Sequence, residues 1–312
     1  MINHTIGIDI SKDTLDVHIH PSGEDRRFTN DAEGFRALRE WIGERSVERL
    51  VFEATGAYHR AFEQAMGQTG LPICKVNPRQ AKRFGEALGV LVKTDRIDAR
   101  MLARFGVLIE PPIRSAPPEI LLQLKDLQVA RTALIKDRTA AKNRERSLQS
   151  PLLKRQSCQR LAQIERHLAA IEAEMVSLVG GDPDLARKFE IITSIPGLAE
   201  RSALALITSM PELGTLDGQA AAALSGTAPM TRQSGKRIGK ACITGGRSQV
   251  RQSLYMPALV AAHHNPDFAT KYKDLKARGK PAKVALTAIM RKLIILANAL
   301  IRDDRKWSPK PA

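Results

Sequence analysis

The sequence predicts an α/β fold in its N-terminal part and an all-α fold after it, a combination of the class α/β + α. Short alternating apolar runs come first as three consecutive strands and then alternate with helical segments. From Glu119 the apolar residues recur in heptads, and from Asp184 to Arg302 the pattern is helical except in one basic, glycine-rich stretch. These changes of period predict three regions of different architecture.

The N-terminal region predicts a mixed sheet covered by helices, because a meander of three strands precedes the strands that alternate with helices. Asn30 or Asp31 is suited to cap the first helix. Thr94 is suited to cap a later one, whose apolar residues Ile97, Met101 and Phe105 recur at helical spacing. The predicted strands span residues 5–11, 14–20, 24–29, 49–53 and 71–76, and helices begin near residues 32, 57, 78 and 95.

The segment 119–178 predicts two long helices with a bend near Ser150-Pro151. Each half is long enough for a helix of roughly 40 Å at 1.5 Å per residue. We interpret the segment as an antiparallel helical hairpin, and both an intramolecular bundle and a dimerisation arm fit the pattern. The heptad positions are Ile120, Leu127, Leu134, Ala141 and Leu148 in the first half, and Leu161, Ile164, Leu168, Ile171, Met175 and Leu178 in the second.

The last region resembles a helix-hairpin-helix around Pro196-Gly197, since a small-residue helix follows this turn. Such a turn offers backbone N–H groups to a phosphate, although an ordinary helix turn has the same pattern. We expect residues 282–301 to form a core helix and the tail after Ile301 to fray. The apolar run 293–301 is too short to span a bilayer.

The charge of the chain predicts a polyanionic partner. Its 49 Lys and Arg outnumber 33 Asp and Glu, for a net charge of +16. Nucleic acid is the first expectation, an anionic membrane surface is a distant second, and we expect no membrane partner. Cys74, Cys158 and Cys242 have no metal-ligand spacing, which is typical of a reduced cytoplasmic protein.

Two aspartates begin the predicted helix after Thr94. Asp95 and Asp98 are three residues apart, so they lie on one helical face. Two carboxylates inside a basic collar suit a site that binds a divalent cation and a phosphodiester together, whereas a solvated face of ion pairs is the alternative interpretation. The collar comprises Lys93, Arg96, Arg100 and Arg104.

Two further acids lie on predicted strands. Asp9 is within the apolar run Gly7–Ile10, where a charge is costly unless it is paired or bound to a metal. Glu53 ends the fourth strand in the same manner. We expect Asp9, Glu53, Asp95 and Asp98 to converge on a two-metal centre of the kind that clamps the oxygens of a phosphoryl transfer.

The basic, glycine-rich stretch 230–251 contains no acid and carries one candidate nucleophile, Ser234. A serine hydroxyl needs activation and cations that stabilise the developing charge, and a loop serine or phosphate ligand fits the same pattern. Ser225 also precedes a glycine and is a rival, but it has no charged neighbours. The basic residues of the stretch are Arg232, Lys236, Arg237, Lys240, Arg247 and Arg251.

Six motifs in order resemble the DEDD transposases of bacterial insertion sequences (insertion-sequence family 110), the bridge-RNA-guided recombinases. The motifs are Gly-Ile-Asp-Ile-Ser-Lys at 7–12, Phe-Glu-Ala-Thr-Gly-Ala-Tyr-His at 52–59, Val-Asn-Pro-Arg-Gln-Ala-Lys-Arg-Phe at 76–84, Lys-Thr-Asp-Arg-Ile-Asp-Ala at 93–99, Pro-Gly-Leu at 196–198 and Arg-Gln-Ser-Gly-Lys at 232–236. The resemblance implies a RuvC-like, RNase H-type catalytic domain (1–112), a coiled-coil arm (119–180), a mainly helical transposase domain (184–302) and a tail (303–312).

The resemblance also implies a mechanism. The acidic tetrad falls on Asp9, Glu53, Asp95 and Asp98 with Mg²⁺ as cofactor, and the nucleophile falls on Ser234, supplied by a different subunit. A structured bridge RNA pairs with donor and target DNA, and the protein is a homo-oligomer in the bacterial cytoplasm: a dimer through the arm and a tetramer in synapsis. The expected nucleic-acid contacts are Lys93, Arg96, Arg100, Arg79, Lys82, Arg83, Arg232, Lys236, Arg237, Lys240, Arg247 and Arg251.

Two alternatives remain open at the level of sequence. In a RuvC-like junction nuclease, activated water attacks the phosphodiester and Ser234 is incidental. In a non-catalytic protein that binds RNA or DNA, the acids have a structural role, and binding weakens with salt without metal-dependent cleavage.

Overall fold

The structure, a computed structural model, describes residues 3–54, 56, 58–89, 94–231, 233–235, 237–239 and 241–309, with residues 237 and 238 described through their backbone only. The chain divides into two compact units, Met1–Pro118 and Glu119–Ala312. Each unit has its own apolar core.

The first unit is built on a five-stranded sheet in the order β3-β2-β1-β4-β5. β2 runs antiparallel to β1 and β3, whereas β4 runs parallel to β1 and β5. This mixed sheet confirms the predicted meander and is consistent with an RNase H-type topology. The strands are β1 (His4–Ile10), β2 (Thr14–His20), β3 (Glu24–Thr29), β4 (Val47–Glu53) and β5 (Ile73–Val76).

Helices cover both faces of this sheet. Ile6 and Ile8 of β1 belong to an apolar cluster with Phe35 and Phe62, so the first two helices pack on that face. The opposite face packs against the last helix of the unit. Asp31 caps the first helix, because its carboxylate accepts a hydrogen bond of 2.8 Å from the Gly34 N–H. The helices are α1 (Ala32–Ile42), α2 (His59–Gly67), α3 (Pro78–Ala87) and α4 (Asp95–Ile109).

Small residues allow α4 to approach β1 closely. A Cβ atom on Gly7 would overlap the backbone of Ala99 and Ala103, and one on Gly106 would overlap the Thr5 side chain. Since Thr5 meets the C-terminal half of α4 and Gly7 meets its middle, the helix runs antiparallel to the strand. Asp9 continues this face of β1 toward the N-terminal turn of α4.

The second unit begins with two long helices, α5 (Glu119–Glu145) and α6 (Pro151–Gly180). They form an antiparallel pair: Arg131 contacts Glu172 at 2.8 Å, and Arg138 contacts Glu165 at 3.3 Å. Several predicted heptad positions are buried where the helices and the adjoining core meet, namely Ala141, Ile164, Leu168 and Met175.

The remaining helices pack around one apolar core. The predicted turn at Gly197, which has a φ of 105°, connects two of them and packs against Pro257 and Ala261. The last helix is long enough and apolar enough to cross a membrane. Half of its apolar stretch is buried in this core, however, as expected of a core helix. The helices are α7 (Pro183–Thr193), α8 (Glu200–Ser209), α9 (Gly218–Leu224), α10 (Ser248–His264), α11 (Pro266–Ala277) and α12 (Ala282–Arg302).

The expectation of a fraying tail is wrong for the residues just after α12. Asp304 pairs with Arg187 at 2.7 Å, and the Trp307 N–H donates a hydrogen bond of 2.9 Å to the Ser194 hydroxyl. The Trp307 ring also packs against the core. Sequence reasoning missed this because a single tryptophan in a polar tail gives no periodic signal.

Substitution of Gly7 by Ala tests the close approach of α4 to β1. The added methyl group meets backbone, which cannot move aside as a flexible side chain can, so we expect the free energy of unfolding to fall by about 3 kcal/mol or more. Gly85→Ala in α3 is the matched control, because its Cβ would meet only the Met101 Cγ at 3.9 Å. The control should be neutral or slightly stabilising. Equal unfolding free energies for the two variants would contradict this packing.

Candidate active site

A row of charged side chains crosses the face of the sheet that α4 covers. Asp9 on β1 pairs across the strands with Asp16 on β2, and Asp16 pairs with Arg27 on β3. On the other side, Ile8 pairs with Phe52, so the next residues, Asp9 and Glu53, follow in the same register. The parallel strands β1 and β4 therefore end with their acids as neighbours on one face.

The first turn of α4 adds two more acids to this row. The Thr94 hydroxyl accepts a hydrogen bond from the Ile97 N–H, as the sequence predicts for an N-cap. Asp95 and Asp98 therefore lie in the first helical turn, which the packing at Gly7 directs toward Asp9. Asp95 is exposed and Asp98 is half-buried.

The neighbouring acids affect the protonation of Asp9. Burial raises the pKa of Asp9 from 3.8 to about 6, and repulsion from Asp98, Asp95, Glu53 and Asp16 adds to this rise. The structure thus brings the four predicted acids into one electrostatic neighbourhood. A bound cation would relieve the repulsion between these neighbouring carboxylates.

The donor chemistry of this neighbourhood fits a hard divalent cation, which prefers carboxylate oxygens. Asp9, Glu53, Asp95 and Asp98 would hold it. Across the described part of the chain, no three His, Cys, Asp or Glu side chains already converge closely enough to hold a metal ion together.

Two residues of the row were missed by the sequence analysis. Asp16 is 8% exposed and accepts hydrogen bonds of 3.0 and 3.2 Å from the Arg27 Nε. The same guanidinium reaches Asp95, with 3.8 Å between Nη2 and Oδ2. The alternation of residues along β2 is the sequence feature that could have identified Asp16. It lies between Leu15 and Val17, just as Asp9 lies between two isoleucines.

Part of the predicted basic collar is engaged by a further acid, Asp25 on β3. Its carboxylate accepts hydrogen bonds from Arg96 at 2.7 Å, from Arg100 and from His18 at 2.8 Å. Burial opposes the ionisation of Asp25, but these three donors outweigh it and lower the pKa of the carboxyl. Arg96 and Arg100 therefore attach α4 to β3, while about half of each side chain or more stays exposed to solvent.

The other residues of the first unit that are predicted to contact nucleic acid are exposed to solvent where the structure describes them. Arg79, Lys82 and Arg83 are exposed on α3, which Asn77 caps by accepting a hydrogen bond from the Arg79 N–H. Arg104 and Arg100 line an open cavity of about 480 Å³ beside His18. Lys93 lies outside the described residues.

The basic stretch with Ser234 is a β-hairpin rather than an irregular loop. Pro229–Met230 (β6) pairs with Cys242–Ile243 (β9), and closer to the tip Gln233–Ser234 (β7) pairs with Arg237–Ile238 (β8). Gly235, with a φ of 54°, supplies the left-handed conformation that a tight hairpin turn requires. Ser234 is exposed beside this turn.

The rival serine has a structural environment. Ser225 is fully buried, and its hydroxyl lies 3.0 Å from the Ala222 carbonyl oxygen and 2.8 Å from the Thr227 hydroxyl. A nucleophile for DNA must reach solvent, so the described geometry favours Ser234.

Two of the predicted basic residues stabilise the base of the hairpin. Arg247 binds Glu212 through two contacts of 2.7 and 2.6 Å, and Arg251 donates to the Gly245 carbonyl at 2.9 Å. Both have a structural role in addition to any contact with nucleic acid. Arg232, Lys236, Lys240 and the side chain of Arg237 lie outside the described residues.

The raised pKa of Asp9 predicts a pH-dependent effect of Asp9→Asn in metal-free protein. The folded-state pKa of about 6 exceeds the ordinary 3.8, so the folded protein binds this proton more tightly than the unfolded chain. Ionisation of Asp9 therefore opposes folding increasingly from about pH 4 to pH 6 and fully above it. We expect Asp9→Asn to raise the melting temperature more at pH 7.5 than at pH 4. An equal change at both pH values would contradict a raised pKa.

Two family models match the chain on either side of the second long helix. The DEDD transposase model of the IS110 group matches residues 6–150, and the model described as "Transposase IS116/IS110/IS902 family" matches residues 189–273. The first match contains all four predicted acids, and the second contains Ser234.

Three curated proteins are similar to the chain. Proteins called "Pilin gene-inverting protein" from Moraxella bovis and Moraxella lacunata are 28% and 29% identical over 321 residues, and each alignment covers 98% of both chains. An uncharacterized 43.6 kDa protein of the IS110 insertion element of Streptomyces coelicolor is 30% identical over 146 residues, 46% of this chain and 35% of that protein. The chain belongs to the IS110 family of DEDD transposases, enzymes that transfer DNA strands.

Proposed function

We propose that the chain cleaves and exchanges DNA strands through Asp9, Glu53, Asp95 and Asp98, which hold Mg²⁺, and through a covalent intermediate on Ser234. The observation that carries the proposal is that β4 and the first turn of α4 place Glu53, Asp95 and Asp98 around Asp9, whose pKa they raise. Membership of the family implies a divalent metal and DNA binding. The choice of Mg²⁺ follows from the all-carboxylate donor set and from the phosphodiester substrate.

The four carboxylates have the role of holding positive charge beside the scissile phosphate. When bound, the metal supplies charge that stabilises the oxygens of the phosphoryl group in the transition state. The exposed cations of α3 and of α4 hold the flanking phosphates and so orient the strand. Because Asp95 and Asp98 begin α4, the N-terminal end of the helix dipole also faces this anionic substrate.

Ser234 has the role of nucleophile. Its Oγ forms a bond to phosphorus while the bond between phosphorus and the 3′-oxygen breaks, which leaves a phosphoserine-linked strand and a free 3′-hydroxyl. The proton lost by the serine balances the one gained by the 3′-oxygen. The exposed hairpin tip and the cations of its stretch support this role, because an anionic transition state needs nearby positive charge. We propose that acids and serine come from different subunits.

We propose that a structured bridge RNA selects the DNA sequences that are cut, so that the protein binds two polyanions, the RNA and the DNA. The net charge of +16 supports the binding of two polyanions, DNA and RNA. The Moraxella relatives are named for inversion of a pilin gene, and an inversion is the same strand exchange applied to two sites on one DNA molecule. We place this activity in the cytoplasm, at the nucleoid.

Ser234→Ala separates the serine mechanism from its alternative. We expect it to reduce covalent protein–DNA adducts by roughly 10³-fold or more, because the attacking atom is removed. Asp9→Ala and Asp98→Ala should also abolish adducts. The measurement is denaturing electrophoresis of labelled element-end DNA after reaction with protein, Mg²⁺ and the guide RNA. Ser248→Ala, at another exposed serine of the basic stretch, should react normally.

The outcomes of this experiment distinguish the candidate functions. If Ser234→Ala still cuts DNA while Asp9→Ala does not, the protein is a RuvC-like nuclease that uses activated water. If both variants keep full strand-transfer activity, the site assignment is wrong.

We also propose that the pair α5–α6 is a dimerisation arm. Leu152 and Leu153, at the far end of the pair from the core, are about half exposed, as are Val129 and Val176. A second copy of the arm would cover these exposed apolar side chains. A tetramer in synapsis would then join two dimers.

Shortening the arm tests this proposal without disturbing the core. Arg138 and Glu165 already lie 3.3 Å apart, so a short glycine linker can replace residues 139–164. We expect the full-length chain to have a dimeric mass by light scattering and the shortened chain a monomeric mass. The shortened chain should keep its helical circular dichroism. An unchanged mass would refute dimerisation through the arm.

A further inference from the structure

Arg27 occupies a distinctive place beside the four acids. It lies on β3, at the end of the cross-strand row that runs through Asp9 and Asp16. Its Nε donates to both oxygens of Asp16, at 3.0 and 3.2 Å. Its Nη2 lies 3.8 Å from Asp95. One guanidinium thus connects an acid outside the tetrad to an acid within it.

The fork of an arginine suits this double contact. Nε and Nη2 are held rigidly in one plane, so fixing Nε on Asp16 also fixes the direction in which Nη2 points. Asp16 is well placed to act as the fixed end, because it is buried while Arg27 and Asp95 are more than half exposed. Without Arg27, Asp16 would be a buried carboxylate with a second carboxylate as its cross-strand neighbour.

We propose that Asp16 and Arg27 form a positioning pair that holds Asp95 for metal binding. The inference rests on the proposed function, since it assumes that Asp95 is a ligand. Asp16 fixes the guanidinium of Arg27, and Arg27 restrains the carboxylate of Asp95, whose exposed side chain would otherwise sample several rotamers. Neither residue contacts the metal or the DNA in this scheme.

The alternatives for this pair make different predictions. If Asp16 were itself a ligand, its loss would be as damaging as the loss of Asp9. If the pair were only structural, its loss would lower the melting temperature without changing metal affinity in the folded protein.

The chain offers a matched control one residue away. Arg26 lies on the same strand, but it points to the opposite face, where its guanidinium is 5.2 Å from the centre of the Phe28 ring. Arg26→Lys and Arg27→Lys make the same chemical change on the two faces. A lysine keeps the charge but has one point of attachment, so it cannot contact Asp16 and Asp95 in the same manner.

The experiment is calorimetric titration of the full-length chain with Mn²⁺, together with melting temperatures measured without metal. We expect Arg27→Lys and Asp16→Asn to weaken Mn²⁺ binding about 10-fold, the lower end of the effect typical of groups that orient metal ligands. Arg26→Lys should leave the affinity unchanged, and Asp9→Asn should abolish binding. Arg27→Lys should melt within a degree or so of the wild type, because the side chain is 60% exposed.

Three results would overturn the inference. Arg27→Lys with wild-type affinity, while Asp9→Asn loses binding, would refute the positioning pair and leave the proposed function intact. Asp16→Asn as severe as Asp9→Asn would make Asp16 a ligand. A wild-type chain without Mn²⁺ affinity would remove the proposed metal site and the inference together.

Discussion

The contact between α4 and β1 is the constraint on which the first unit depends. Gly7 removes the side chain that would separate strand and helix, and Ala99 and Ala103 present a small-residue surface to it. Because the helix runs antiparallel to the strand, its first turn lies where β1 carries Asp9. Acids that are far apart in the chain become neighbours through a packing contact that is itself apolar. The position of the charged site is thus a consequence of the apolar packing between α4 and β1.

Gathering these acids has an electrostatic cost, and the sheet shows how part of it is offset. Asp9 is held with a raised pKa, whereas Asp16 and Asp25 each accept hydrogen bonds from arginine. The arginines link β3 to the start of α4, so the same contacts that neutralise two acids also fix the helix that carries two others. Asp9 and the acids that raise its pKa form the negatively charged neighbourhood that a cation site requires.

Much of this arrangement was predictable from the sequence, because its elements have strong periodic signals. The alternation of Ile6, Ile8 and Ile10 predicted β1 and turned Asp9 to the other face, and Thr94 marked the start of α4. Asp16 and Arg27 escaped prediction since their pairing depends on strand register, which alternation alone does not fix. The hairpin around Ser234 has no strand pattern in the sequence because its strands are only two residues long. The tail around Trp307 depended on tertiary contacts that have no local pattern.

The central claim is that the packing of α4 on β1 assembles one metal-binding site from acids of two strands and a helix. Anomalous diffraction from crystals of the chain grown with Mn²⁺ tests it most directly. The account predicts a manganese peak coordinated by Asp9 together with at least one carboxylate from the first turn of α4. Manganese bound only elsewhere, with the Asp9 carboxyl directed away from every peak, would contradict it.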